Sequence, residues 1–422
     1  MGNFALIFGL LVAVLLVVDW YVYKHWKAFL QTAPRLRWTR PFYLVFMYLM
    51  PAALPVYFYF SRWWEVEPKL FRALFIGFFA LYYLPKFVIA IVLGLKDLGR
   101  LVFWLFRWFQ EQLGVTSNEN PADAEQLDLT DMKRLSRREF LGKIGWSAST
   151  VPYVVTGYGV FRTLYDFNVQ RIDIPLPNLP SAFDGIRIVQ LSDIHAGSFF
   201  SQRPMLEVAD IIGGIKPDVI AITGDFVNNN DEELIRIMPA LNGLDAPLGV
   251  YGCLGNHDHY ANTPLVIDRL RNSPINLLVN ARQTIALDGE RLHLLGTDNT
   301  GFNQQYADLP LALEGIENPE DLHILLAHDP TFWDNHVRPN FQQIDLMLCG
   351  HTHGGQVGIE VGPLRWSLAR FMYSRWAGLY TEPREPTGQQ QFLYVNRGLG
   401  TVGPPLRFGI RPEITELTLR RV

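Results

Sequence analysis

Five hydrophobic runs between residues 190 and 355 each end in side chains that divalent cations favour. They read LSDIH (Asp193, His195), TGD (Asp225), GNHD (Asn256, His257, Asp258), LAHD (His328) and GHTH (His351, His353). A single strand ending in Asp or His means little. Five together supply the carboxylate and amide oxygens and the imidazole nitrogens that suit a pair of divalent ions. Such a pair activates water and neutralises developing charge, so the pattern points to metal-assisted hydrolysis.

To converge, these residues need a scaffold that gathers strand ends. From Arg171 onward, short β-branched runs alternate with single helical segments. IRIVQLSD, DVIAITGD and GVYGCLGNHD read as strands, followed by helices near 204–215, 231–241 and 264–271. INLLVNARQTIAL, RLHLLGTD, HILLAHDP, IDLMLCGHTH, QFLYVNRGL and ITELTLRRV continue the series. This alternation predicts an α/β fold. In such sheets ligands collect beyond the carboxyl ends of the strands, where every candidate residue sits. Gly255, Gly350, Gly354 and Gly355 let backbone approach the ions or turn sharply. Cys253 and Cys349 lie inside strands and read as buried thiols, with no disulfide framework.

The N-terminal part has another character. Residues 4–23 are apolar apart from Asp19, long enough for a hydrocarbon core of about 30 Å. Met1-Gly2-Asn3 lacks the side-chain charge of a signal's n-region, so the stretch reads as a retained span. A second span covers 41–60, with Pro51 and Pro55 as tolerated kinks, and a third about 70–93. Residues 97–113 mix Arg100 and Arg107 with aromatics, which predicts a separate helix lying in the interface. Together these form a helical transmembrane domain over 1–116. Lys24, Lys27, Arg35, Arg37 and Arg40 place the first loop in the cytoplasm. Lys86 lies inside an apolar run and needs a partner, for which Asp19 is the candidate.

Residues 117–143 form a polar linker ending in SRREFLGK, which resembles a twin-arginine export signal and implies the corresponding translocase as a partner. A weakly apolar fourth anchor follows at 144–165. This arrangement predicts a multi-pass protein of the cell membrane, with residues 166–422 tethered on its outer face. The 37 basic and 41 acidic residues leave a net charge of −4, which provides no footprint for nucleic acid.

The ordered motifs D-x-H, G-D, G-N-H-D, a lone His and G-H-x-H resemble those of the calcineurin-like metallophosphoesterases, over about residues 172–422. GHTHGGQV and NRGLGTVGPPLRFGIRPEI are similar to a membrane-associated or exported bacterial branch of that family. The resemblance implies a β-sandwich of two mixed sheets flanked by helices. It also implies two divalent ions, Mn, Fe or Zn. The first would take Asp193, His195, Asp225 and His353; the second Asp225, Asn256, His328 and His351. Asp225 would bridge them, since one carboxylate can span ions about 3.5–4 Å apart. The implied nucleophile is a water acidified between the ions. His257 would steady charge on phosphate or protonate the leaving oxygen, with Asp258 orienting its imidazole.

His25, His259, His293, His323 and His336 fit no ligand position, although His259, Asp298 and Asn299 could line the pocket. Residues 363–380 interleave Arg365, Arg370 and Arg375 with Trp366, Phe371, Tyr373 and Trp376. As a plain structural element this is an amphipathic helix; as a recognition element it suits anionic head groups and acyl chains. The expected activity is hydrolysis of phosphate ester or pyrophosphate bonds in lipid or envelope-precursor substrates. The alternatives are a tethered phosphodiesterase for soluble substrates and a catalytically silent binding scaffold.

Overall fold

The computed structural model describes residues 2–61, 69–112, 143–161, 163–299, 306–318, 321–362, 364–384, 387–403 and 405–422. The polar linker and the paired arginines, through residue 142, lie outside the described residues. The chain divides into two compact units, Met1–Gly157 and Tyr158–Val422, so the fourth apolar segment straddles the division.

Three long helices make up most of the first unit: α1 (Gly2–Thr32), α2 (Thr39–Ser61) and α3 (Lys69–Gln112). Leu15, Met50, Leu54 and Tyr83 pack between them. Leu10, Val17, Val45, Tyr48, Ile91 and Phe103 stay exposed on the outside, as lipid contact allows. Among the described residues, Gly9–Thr32 and Gly77–Gln110 are long and apolar enough to cross a membrane. The Lys86–Asp19 pairing is present. Lys86 Nζ lies 2.5 Å from Asp19 Oδ1 and 3.4 Å from the Tyr82 ring centroid, while Tyr83 donates to Asp19 Oδ2 at 3.0 Å.

One expectation fails here. Instead of a span followed by a separate helix from residue 97, α3 runs unbroken for 44 residues. Gly94 and Gly99 each cost a helix only about 1 kcal/mol, too little to break it between strong helix formers. Asp97 is also satisfied in place, receiving Tyr21 OH at 2.9 Å and lying 3.0 Å from His25 Nε2.

The second unit contains fourteen described strands. These are β1 (Asn168–Leu176), β2 (Arg187–Leu191), β3 (Val219–Thr223), β4 (Val250–Cys253), β5 (Ile275–Leu277), β6 (Ala281–Leu287) and β7 (Glu290–Gly296). There follow β8 (Leu322–Leu326), β9 (Leu346–Cys349), β10 (Gly358–Val361), β11 (Leu364–Ser367), β12 (Gly378–Pro383), β13 (Gln390–Val395) and β14 (Glu413–Arg421). One mixed sheet has the order β1-β14-β2-β3-β4-β5, the other β12-β13-β9-β8-β7-β6, and β10 and β11 form a separate hairpin.

Side-chain alternation explains the layering. Along β3, Val219 and Ala221 join a core with Leu326, Leu348 and Tyr394 of the opposite sheet. Ile220 and Ile222 instead pack with Val208, Ile212 and Ile237 of the helices Arg203–Ile215 and Glu233–Leu241. Leu325 and Met347 face a third core with Trp333 and Leu309. The result is the expected sandwich of two mixed sheets with helices outside. Three details differ from the sequence reading. INLLVNARQTIAL makes two strands, because Asn280 adopts a left-handed turn (φ 51°). Strands β1 and β10 were not foreseen. The 363–380 segment is not an amphipathic helix: it supplies β11, one 3₁₀ turn (Leu368–Phe371) and the start of β12. Ser367 caps that turn, accepting Ala369 N at 3.2 Å.

Candidate metal centre

Strands β2, β3 and β4 run parallel, as do β8 and β9. The chain leaves each at its carboxyl end through a tight turn that carries the candidate residues. Asp193, His195, Asp225, His351 and His353 all adopt left-handed backbone, with φ of 48°, 44°, 55°, 69° and 51°. For non-glycine residues this conformation costs on the order of 1–3 kcal/mol and persists only where surroundings fix it. Backbone bonds fix it here: Asp193 N to Gly224 O at 3.0 Å, His195 N to Asp225 O at 2.9 Å, and Gly350 N to His328 O at 2.9 Å. Two glycines allow the close approach. A Cβ on Gly255 would collide with Asp225, and one on Gly350 with Ser192 and Asp193.

Among the described residues the side chains converge in three overlapping groups, Asp193–His195–His353, His195–Asp225–His257 and Asp225–His328–His351, each with ligand atoms within 4.8 Å of one another. His353 Nε2 is 3.2 Å from Asp193 Oδ1 and 3.1 Å from His195 Nε2. Asp225 joins the groups through one atom: its Oδ2 is 3.4 Å from His195 Nε2 and 3.0 Å from His328 Nε2. Ligands held about 2.0–2.2 Å from a shared ion stand about 3–3.5 Å apart, so these spacings fit cations closely. Asn256, at the start of a short helix after β4, has a buried Oδ1 that accepts no hydrogen bond, a donor atom in want of a partner. The donor set and its geometry fit divalent metal.

Electrostatics follow from burial and proximity. Burial alone would push the Asp225 carboxyl up, but His328 and His195 outweigh it and hold the group well below the usual carboxylate range. Burial also opposes charge on His328, yet the Asp225 carboxylate pushes it up to about 10. The two side chains lie 3.0 Å apart, and a histidine that ligates a cation has to give up its proton. Burial depresses His195, and burial together with Arg407 depresses His353.

His257 and Asp258 depart from the expected arrangement. Asp258 does not orient the His257 ring. Its buried carboxylate accepts four backbone N–H groups, from Asp225 (3.0 Å), Phe226 (2.8 Å), Val227 (3.3 Å) and Gly255 (2.9 Å). Burial and the neighbouring Asp225 push it up to about 7, against the pull of those donors. The His257 ring is instead held by the Asn228 carbonyl, 2.6 Å from Nδ1. It also lies within ligand range of His195 and Asp225.

Other contributors were not singled out by the sequence reading, although Asp329 ends the LAHD motif and Arg407 lies in the quoted NRGLGTVGPPLRFGIRPEI segment. Tyr373 OH is 3.0 Å from His351 Nε2, and Asp329 Oδ2 is 3.9 Å from the same nitrogen. Arg407 is fully buried behind His353, with Nη2 3.4 Å from His353 Nδ1 and 2.6 Å from the Gly400 carbonyl. Its only sequence signal is its place in a Gly- and Pro-rich segment whose carbonyls turn inward. His259 pairs with Asp298 at 2.6 Å and stacks on Tyr306. Among the described residues, neither His259 nor Asp298 joins a group that could hold a cation. Cys253 and Cys349 are free and buried.

Comparison with known proteins agrees with this geometry. Residues 186–355 match the family described as "Calcineurin-like phosphoesterase", and residues 4–164 match "Probable Calcineurin-like phosphoesterase, transmembrane domain". The uncharacterized metallophosphoesterase YkuE of Bacillus subtilis is 33% identical over 297 residues, 68% of this chain and 99% of that protein. A bovine (Bos taurus) transmembrane protein with metallophosphoesterase domain is 31% identical over 288 residues, 65% of this chain and 62% of that protein. The chain thus spans less than two thirds of the bovine relative's length. With its motifs in order, its strand ends converged and a transmembrane domain ahead of them, the chain is a membrane member of the calcineurin-like phosphoesterase family and a hydrolase of phosphoester bonds.

Proposed function

We propose that the catalytic unit works as a two-metal centre. Asp193, His195, Asp225 and His353 hold one ion; Asp225, Asn256, His328 and His351 hold the other. The observation that carries this reading is the single Asp225 oxygen standing between His195 and His328. Mn, Fe and Zn all accept this mixed donor set. Bound there, the ions supply Lewis acidity, lowering the pKa of a water and neutralising phosphoryl oxygens.

The protein's own groups do the rest. Nδ1 of His257 must carry a proton to meet the Asn228 carbonyl, which can only accept. Nε2 is then the nitrogen left to face the phosphoryl group; it is bare in the neutral ring and would pass a proton to the ester's leaving oxygen only from the imidazolium form. Asp258 keeps the Asp225 turn in place through its four backbone bonds. Tyr373 and Asp329 fix the orientation of His351 from outside the centre.

The substrate in this reading is a phosphate ester or pyrophosphate on a lipid or envelope precursor, acted on at the outer face of the cell membrane. The transmembrane domain supports membrane association, and the outward placement follows from a cytoplasmic first loop only if the fourth apolar segment, 144–165, crosses as well. The twin-arginine-like segment supplies a route for export. Metal analysis of the full chain, wild type and Asp225→Asn, alongside turnover of a phosphodiester panel and a lipid extract tests the proposal. Two bound equivalents with turnover in the wild type, and loss of both in the variant, are expected. One equivalent in the wild type, or unchanged turnover in the variant, contradicts it. Protease treatment of intact cells tests sidedness: a resistant catalytic unit contradicts the outward placement.

A further inference from the structure

Beside the metal centre lies a surface that hydrolysis does not use. Within the stretch from β10 to the 3₁₀ turn, Ile359, Leu364, Leu368, Phe371 and Met372 are all exposed. Phe371 and Met372, at 74% and 73%, are the most exposed large hydrophobic side chains among the described residues. Arg370 is exposed beside them. Elsewhere on the catalytic unit such residues are more dispersed, as Phe200, Ile235 and Leu311 are, which is ordinary for a protein surface. Five in fourteen positions is a patch, and patches of this kind mark interaction surfaces.

The base of this patch is firmly held. Ser367, Ala369 and Ala377 are buried. Ser367 Oγ donates to Gly354 O at 2.5 Å, and Thr352 Oγ1 donates to Trp376 O at 2.7 Å. Tyr373 OH meets His351 Nε2 at 3.0 Å. Three of the partners, His351, Thr352 and Gly354, belong to the GHTHGG loop itself. A floppy surface loop would not be pinned at three points to the loop that carries two candidate ligands.

We propose that the Leu364–Met372 segment is a bilayer-docking element, which dips Leu364, Leu368, Phe371 and Met372 into the lipid interface and sets Arg370 at the phosphate level. Aliphatic and aromatic tips with an arginine at the rim are the composition that interfacial anchors use. A bilayer is the occupant because the chain belongs to a family branch with a transmembrane domain, so membrane is always at hand. The inference rests on that membership and on the exposed tips, and does not depend on the two-metal reading. Its consequence is that the GHTHGG loop, to which the segment is pinned, is held close to ester groups at the membrane surface.

The two native cysteines are buried, so a single introduced cysteine can be labelled selectively. The full chain carrying Met372→Cys, Phe371→Cys or, as a control, Ile235→Cys is labelled with an environment-sensitive fluorophore. It is then reconstituted in vesicles of phosphatidylcholine and phosphatidylglycerol. The expected result is a blue-shifted signal at positions 371 and 372 that loses about half its intensity to doxyl-labelled lipid and is spared by aqueous iodide. The control should respond to iodide and not to doxyl lipid. If positions 371 and 372 behave like the control, the proposal is overturned. Self-quenching at 372 that persists in detergent micelles would also overturn it, by making a second copy the occupant.

Discussion

The Asp258 carboxylate receives the backbone N–H of Asp225 at 3.0 Å, so one acid of the GNHD motif holds another acid's turn in position. Three more backbone donors share the same carboxylate. Asp258→Asn would turn an amide N–H toward those donors and leave buried N–H groups unpaired. A loss of about 2–3 kcal/mol in stability is expected, together with weaker metal retention. Chemical denaturation with and without added Mn measures the first effect and metal analysis the second. Unchanged stability would mean that the turn is held by other bonds.

His257 offers a way to tell catalysis from ligation. With Nδ1 tied to the Asn228 carbonyl, His257→Gln is expected to lower kcat by about 10²–10⁴-fold while metal content stays at the wild-type value. Parallel kinetics and metal analysis decide the matter. Loss of an equivalent of metal would make His257 a ligand, as its proximity to His195 and Asp225 permits.

An acid-sensitive spot lies on β8, away from the centre. Burial, with His293 beside it, pushes His323 down to about 4. Above about pH 6.5 the ring is neutral in both folded and unfolded chains and adds no pH dependence. Between about 6.5 and 4 the unfolded chain takes a proton that the folded chain refuses, so stability falls as pH falls. His323→Leu should flatten that part of the profile. Unfolding midpoints of the detergent-solubilised chain at several pH values, variant against wild type, provide the test; parallel curves would refute it.

In the first unit, Asp19 and Lys86 are 0% and 3% exposed, and each is the other's counter-charge. Lys86→Met strands a buried carboxylate and should cost about 3–5 kcal/mol, whereas adding Asp19→Leu should recover a large part of it. A double-mutant cycle on thermal stability in detergent measures the coupling. Additive effects would show that the pair does not hold α1 to α3.

Legibility in the sequence followed the range of the interactions. Ligand candidates at strand ends were readable because each depends on a local pattern, a β-branched run followed by Asp, Asn or His. The Lys86–Asp19 pair was readable because each charge stands alone in an apolar stretch. The role of Asp258 was not, since its carboxylate serves backbone donors around residue 225, and no spacing rule encodes such a reach. Tyr373 stayed hidden for a similar reason: its partner His351 is 22 positions away, and its own segment imitated a helix through mixed arginines and aromatics. Arg407 was missed because arginine is so seldom fully buried that its place in a quoted Gly- and Pro-rich segment did not mark it as a contact of His353.

Five candidate ligands enter the centre from left-handed turns that main-chain bonds hold in place. The dimensions of the socket are therefore set by peptide geometry before any ion arrives. In the two-metal reading, less of the backbone would have to rearrange when an ion binds. Discrimination among metals would then rest on ionic radius and preferred coordination number.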